Sequence, residues 1–589
     1  MSTATSPELD LPVLTPMLDT KYALSIRQLG LVVGWGVFFM YLNYMPLFYT
    51  DLWGHVNYGR WMLQTGQLPV EDPFTPLAAG VPVTCTAWLS QLIFATVDRY
   101  LGTAWISNLY AITVLVEFLF LMRAFQHRSG SLLTAHAGAF LTLLIVLGRH
   151  AIARPETFGG LCFAIMIWLV SRSETWSVLK SSNGDETGAQ PTATESSAPT
   201  EAWSWKQEPW SLWIGLPVLF MAWGNLHGSF VVGLILLGCI CLGRIVEVAW
   251  KQGPAAVMQD RWIFRWLVMT ELSAAAVLIN PYGIDLYLNV LTFGKNPNLT
   301  DILEWFSLRM VDLEGITMAI AAVILLAAWR WSKAPVRVAE ALALAIFAWS
   351  VCPTIRMINW FAPVFAWAIV PHLENIRQQI VQARPSLSEW NVLLDHRSFR
   401  QSMVGLFLIW IMFAFSPISD FLLSAKPRAG SSLYNKSTPR DISKFLRDNP
   451  MPGLVMAPQW WGDWLVWDGG PKLQIVMNTN AVHVAPRQVW LDYMDMSLAR
   501  GNWERALDRY GINTMVVDTT LQPTLVRAMR KTGGWKVIYE DKLGRVYGRI
   551  GKIPKSLTMP KVEPEKKAPP QPATEETAAA PAQNRTPAS

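Results

Sequence analysis

Residues 47–91 read LFYTDLWGHVNYGRWMLQTGQLPVEDPFTPLAAGVPVTCTAWLSQ. This stretch follows the first long apolar run, at about 29–48, without a break. It is rich in Trp, Tyr, Pro and Gly, so it reads as an ordered loop at a membrane surface. It opens with Asp51 at the edge of the apolar run and carries His55, Glu71 and Asp72. Asp51 and His55, four apart, share one face of a helix.

Working outward, the chain has 589 residues, of which only 16% are charged. Its mean hydropathy is +0.25. Soluble domains carry nearer a quarter charged residues. Apolar runs recur near 29–48, 104–122, 131–148, 156–171, 209–224, 229–248, 265–280, 315–330, 337–352, 355–371 and 402–423. Their lengths predict a mainly α membrane protein with about 11 transmembrane helices. The 88–101 segment, which contains Asp98 and Arg99, reads as an interfacial helix outside that count.

The positive-inside rule orients the spans. With residues 1–28 cytoplasmic, the basic clusters at Arg123/Arg128, Arg172/Lys180, Arg244/Lys251/Arg261, Arg330/Lys333/Arg337 and Arg377/Arg384/Arg397 fall in cytoplasmic loops. The loop at 49–91 and everything after the last span are then external. The net charge of +6 is spread over these loops, which reports topology and excludes a nucleic-acid binder. None of the five Cys lies beyond residue 352, and none forms a CxxC pair. The polar start lacks a signal-peptide pattern, so the first run is expected to stay as an anchor.

The chain divides into a polytopic region, 29–424, and an external soluble α/β domain, 437–550. The cytoplasmic loop 172–208 and the Pro/Ala-rich tail 551–589 have too few apolar side chains to offset ordering entropy and are expected to be disordered. In the α/β domain, strands are expected at 453–457, 473–477 and 514–517, helices at 440–449, 503–510 and 523–532, and a hairpin at 536–540 and 545–549.

On this topology the distinctive motifs share the external side. They are Asp51…His55, Glu71-Asp72-Pro73, Arg154-Pro155-Glu156, Asn225-Leu226-His227-Gly228, Asn280-Pro281-Tyr282-Gly283, Glu304-Trp305 and Arg356…Asn359. Ionisable groups at span ends are paired or functional. Asp51 is a candidate general base or a helix N-cap. His55 would assist it or contact phosphate. Glu71 and Asp72 would bind the acceptor or a metal, or build the Asp-Pro turn. Arg154 suits a lipid phosphate or a headgroup anchor. Asn225 and His227, between Gly224 and Gly228, would face a cavity where a helix breaks, or satisfy the broken backbone. Glu304 beside Trp305 suits a sugar. Arg356 would neutralise phosphate or pair with Glu304.

The motifs DLWGHVNYGRWMLQTGQLPVEDPFT, WLSQ, ARPETF, WGNLHGSFVVG, NPYG and EW resemble a bacterial polytopic family similar to the GT-C glycosyltransferases. The resemblance implies a GT-C-like fold in the plasma membrane. It implies transfer of a sugar from a polyprenyl-phosphate donor to an envelope glycan, lipid or protein acceptor, with membrane lipid as a further partner. The family's essential carboxylate lies just after the first span, which places the role on Asp51. No DxD motif is present, so no metal ligands are assigned and a divalent metal is left open. Two other classes fit the composition. One is a transporter or flippase of a lipid-linked or polar solute, which should show inverted repeats and midplane charges. The other is a non-catalytic membrane scaffold. In the α/β domain, Trp460-Trp461-Gly462-Asp463-Trp464 reads as a core and turn or a sugar-stacking patch. Resembling proteins often carry Asp-x-Arg where this chain has Asn478-Thr479-Asn480, which argues against chemistry in that domain.

Overall fold

The computed structural model describes residues 26–147, 152–172, 210–384, 398–414, 416–422, 428–555 and 557. The expectations for 1–25, for most of the 172–208 loop and for the tail beyond 557 fall outside them.

The described chain is mainly helical, with one small sheet near its end. Helix α1 (Ile26–Tyr44) leads into α2 (Leu52–Thr65), α3 (Trp88–Tyr100), α4 (Ala104–Ser129), α5 (Leu132–Val146) and α6 (Glu156–Arg172). Long helices follow at Trp210–Leu226, Phe230–Gln252, Arg261–Val277, Leu313–Trp331, Val338–Val351, Ile358–Ala383 and Ser398–Ala414. Each apolar run therefore holds a helix among its described residues, but the count of eleven spans is not met. Among the described residues, three helices are long and apolar enough to cross a membrane: Ala104–Ser129, Phe230–Gln252 and Leu313–Trp331. Four more apolar helices are shorter, at Leu29–Tyr44, Leu132–Val146, Leu212–Leu226 and Val338–Val351. For these four the reason is length: at about 1.5 Å per residue, 14–16 residues reach roughly 21–24 Å of a ~30 Å hydrocarbon core.

Two helices run past their expected ends. α4 continues to Ser129, so Arg128 lies on a buried helix turn instead of in a loop. There it pairs with Glu340 and stacks over Trp367. The Ile358–Ala383 helix runs on well beyond residue 371, where its apolar run ends. On Leu313–Trp331, by contrast, Ile316, Ile320, Val323 and Leu326 remain exposed. A contiguous apolar face of that kind suits lipid.

The first loop is built, not slack. The 13-residue α3 packs along α2. The approach is so close that a Cβ on Gly59 would lie 2.1 Å from the Gln91 carbonyl oxygen.

The C-terminal region is α/β, as the alternating pattern predicts. Its strands are β1 (Leu454–Met456), β2 (Gln474–Ile475), β3 (Thr514–Asp518), β4 (Trp535–Glu540) and β5 (Gly544–Arg549), in the order β2-β1-β3-β5-β4. β1 is parallel to both neighbours, and the β4–β5 hairpin adds an antiparallel edge. The Trp-rich motif is a helix, Gln459–Asp468, with Trp461 and Trp464 fully buried. It is a core element and not an open sugar platform. It docks on α2: Trp53 meets Trp464 edge-on at 4.9 Å and Trp467 at 4.3 Å. Asn57 Nδ2 donates to the Asp463 carbonyl at 3.1 Å.

Candidate active site

Separate segments from both domains deliver charged or imidazole side chains to one place. Asp51 opens α2, one turn ahead of His55, whose N–H donates to the Asp51 carbonyl at 3.0 Å. The Asp51 side chain makes no capping hydrogen bond, so its carboxylate is not occupied by α2. It turns instead to Arg154, whose Nε lies 3.1 Å from Asp51 Oδ2. Arg154 stands just before α6, where Pro155 starts the first turn and Glu156 sits against the helix dipole. Its other nitrogen bonds Glu304.

Glu304 and Arg356 belong to short 3₁₀ turns, Leu303–Trp305 and Ile355–Met357. Two backbone bonds zip these turns together: Leu308 N–H to the Cys352 carbonyl at 3.0 Å, and Ile355 N–H to the Phe306 carbonyl at 3.1 Å. Arg356 takes a carboxylate other than Glu304, the partner offered as its alternative to phosphate. Arg154 already holds Glu304, and Arg356 approaches Glu156 at 3.7 Å while covering the Trp305 ring at 5.8 Å. Asn359 Nδ2 donates to Glu156 Oε1 at 3.1 Å. A cavity of about 270 Å³ opens between these groups, lined by Arg154, Glu156, Glu304, Glu314, Asn359 and Glu117 among others.

Three histidines border the same charges. Gln91 Nε2, from α3, lies 3.2 Å from His55 Nδ1, and donation there leaves the His55 proton on Nε2. Burial lowers the His55 imidazole to about 4; nearby Asp51 opposes this, and His227, Arg154 and Arg356 reinforce it. His227 Nδ1 accepts from the Ser229 N–H at 3.2 Å. Burial lowers it also to about 4, with Glu156 opposing and Arg356 reinforcing. The third, His483, comes from the α/β domain. Burial, then Arg356, lower it to about 4. Its ring lies 4.6 Å from Phe293, which lies 5.5 Å from Trp305. All three are neutral at pH 7. For Arg154, burial opposes the charge, but Asp51, Glu304 and Glu156 outweigh it and hold the guanidinium above its ordinary value.

The remaining candidates have structural places. Glu71 is exposed and accepts the Gly80 N–H at 2.6 Å. Asp72 is buried and accepts the Phe74 N–H at 2.9 Å, the turn its Pro73 predicts. Neither pairs with Arg154 or Arg356. Asn225 joins elements: it accepts from Trp88 Nε1 at 3.0 Å and donates to the Ile279 carbonyl at 2.9 Å. Gly224 and Gly228 serve close packing, against Val277 in one case and Val290 and Thr86 in the other. In the NPYG turn, Asn280 Oδ1 accepts the Tyr282 N–H at 2.7 Å, and Tyr282 Oη accepts the Cys85 N–H.

Sequence reasoning missed Glu117 and His483. Glu117 lies midway along α4 and looks like one acid in an apolar run. His483 sits in a domain that the missing Asp-x-Arg motif argues against. Its backbone carbonyl accepts from Asn296, and Asn298 Nδ2 bonds the Val482 and Ala485 carbonyls at 2.9 and 3.0 Å. That clasp brings the domain to the pocket.

Among the described residues, no group of three or more His, Cys, Asp or Glu side chains could hold a metal ion. Asp51 and Glu304 are engaged by Arg154, and Glu156 by Arg356 and Asn359, so the arrangement does not fit a divalent cation. The chain matches no protein-family model and no curated protein.

Proposed function

We propose that the protein is a membrane glycosyltransferase of GT-C type, moving a sugar from a polyprenyl-phosphate donor to an acceptor outside the cytoplasm. The observation that carries this reading is the chain Asp51–Arg154–Glu304. A carboxylate that caps nothing is held by an arginine suited to phosphate, beside a second arginine, Arg356. In the wider reading eleven helices cross the bilayer, the shorter ones by local thinning and packing. The C-terminal domain then lies outside, in the plasma membrane's external compartment.

The geometry supports an exchange of ion pairs. A donor phosphate takes the planar fork of Arg154, which binds two oxygens at once. Asp51 is released and faces the acceptor hydroxyl. As the acceptor oxygen attacks the anomeric carbon, its proton passes to Asp51. The bond from that carbon to the phosphate oxygen breaks, and its electron pair leaves with polyprenyl phosphate. His55 and His227, neutral and with N–H on Nε2, offer hydrogen bonds to the leaving phosphate without adding net charge.

Asp51→Asn tests it. The amide keeps size but cannot take the proton, so turnover in a sugar-transfer assay is expected to fall by about 10²–10⁴. Normal turnover at matched thermal stability removes Asp51 as base. If proteoliposomes instead move the lipid-linked solute without forming a glycosidic bond, the transporter reading replaces this one.

A further inference from the structure

The cavity extends past the ion pairs toward α4, where its wall changes character. Glu117 is 8% exposed, its Oε2 has no hydrogen-bond partner, and it lines the cavity. Across from it, Asn359 Oδ1 is also buried and unpartnered, although its Nδ2 is used on Glu156. Asn359 Oδ1 accepts only, and the Glu117 carboxyl accepts or, when protonated, also donates. Buried acceptors left unmatched cost about 1–3 kcal/mol each. Gly160, on α6, keeps this end open: a Cβ there would lie 2.8 and 2.9 Å from the two Glu117 carboxylate oxygens. Trp360 supplies a buried aromatic wall.

We propose that this inner pocket is a subsite for one hydroxylated sugar ring, read by Glu117 and Asn359 through its hydroxyl donors and by Trp360 through its C–H face. The whole cavity, about 270 Å³ including its Arg154 end, lies just below the ~300–1,000 Å³ of drug-sized sites, so its inner end admits no more than a single ring. The subsite rests on the donor reading above. The phosphate would sit at Arg154 and the ring beyond it, so one molecule reaches both.

The test measures binding to the full chain in nanodiscs. The probes are undecaprenyl phosphate and its phosphoglucose, phosphomannose, phosphogalactose and phospho-N-acetylglucosamine forms. At least one sugar form is expected to bind roughly tenfold tighter than the bare phosphate, the worth of one or two hydrogen bonds. Gly160→Ala and Glu117→Leu should each erase that ratio while leaving affinity for the bare phosphate unchanged. Arg154→Lys should weaken both lipids alike. Thermal midpoints confirm that at least one subsite variant folds. No sugar preference in the wild type, or a preference that survives both variants, overturns the subsite. A phosphoglucosamine form with a free amine is added as a further probe, and a roughly tenfold preference for it over the neutral sugars also overturns the subsite, because it would mean charge recognition. If the wild type retains neither lipid, the donor reading fails separately. The subsite then stands or falls on methyl glycosides by saturation-transfer NMR, with signal required in the wild type and lost in Glu117→Leu.

Discussion

Arg154 carries most of the site's geometry. A terminal nitrogen bonds Glu304, while Nε lies 3.1 Å from Asp51 as an ion pair without a hydrogen bond, so the Asp51 side is the easier one to exchange for phosphate. Arg154→Lys is expected to keep the charge yet weaken polyprenyl-phosphate binding about tenfold or more, since one ammonium cannot hold both sides. Equal affinity by isothermal titration would remove Arg154 from phosphate binding. The histidines make a second prediction. His227 is lowered in the folded chain to about 4, against about 6.5 when unfolded. The stability linked to its neutral form is therefore complete above pH 6.5 and lost as pH falls toward 4, because the unfolded chain takes up the proton first. Buried Asp463 works the other way: burial holds its carboxyl well above the usual range, so its cost grows as pH rises. A single melting curve mixes the two, and the difference between wild type and His227→Gln isolates one. That variant should lose less thermal stability than the wild type between pH 6.5 and 4; parallel curves would show that His227 is not held neutral by the fold.

The helices set these side chains by close approach, and glycine marks where. Gly59 lets α2 lie against the α3 backbone, and that contact puts Gln91 beside His55. Gly59→Ala should cost about 1–3 kcal/mol, the range for overpacking a tight contact. Transfer activity should fall with it. Gly238 is the control, because an added Cβ there would meet nothing within 4 Å: Gly238→Ala should be neutral or stabilising. Equal midpoints for the two variants would mean that α2 and α3 separate at little cost. Which elements are legible in the sequence follows from the same physics. The parallel strands are short buried apolar runs and the β4–β5 hairpin carries turn residues, and they fall within two residues of expectation. Gln459–Asp468 reads as a turn because Gly462 sits inside it. That glycine is there for packing, since a Cβ would meet the Met477 carbonyl at 2.6 Å. Asp51, Arg154, His227, Glu304 and Arg356 are legible as polar groups at the ends of apolar runs. Their pairings are not, because register between helices leaves no local mark. Glu117, a lone acid inside an apolar run, carries a local signal of function but none of its neighbours in space, and His483, in another domain, carries none.

At the scale of the molecule, the α/β domain is part of the site's wall. Trp53, Trp464, Trp467 and Tyr434 form one aromatic cluster across the junction. Asn298 and Asn296 hold the turn that carries His483. Domain and pocket must then lie on the same side of the membrane, which is the proposed outside. Cysteine labelling in intact cells checks this, and the structure dictates its design. Cys352 is exposed and would react on its own, so the background is Cys352→Ser; the other four cysteines are buried. Ser497, the obvious serine of the domain, is also buried and accepts a hydrogen bond from Gln522 at 2.7 Å, so a thiol there would stay silent whatever the topology. Thr524 is exposed at the start of the Pro523–Lys531 helix and reports cleanly. A membrane-impermeant maleimide should label Thr524→Cys in intact cells, and Ser182→Cys only after permeabilisation. The reverse pattern would put Asp51, Arg154 and His483 together on the cytoplasmic face. A donor presented from outside could then not reach them, and the proposed transfer would fall with the orientation.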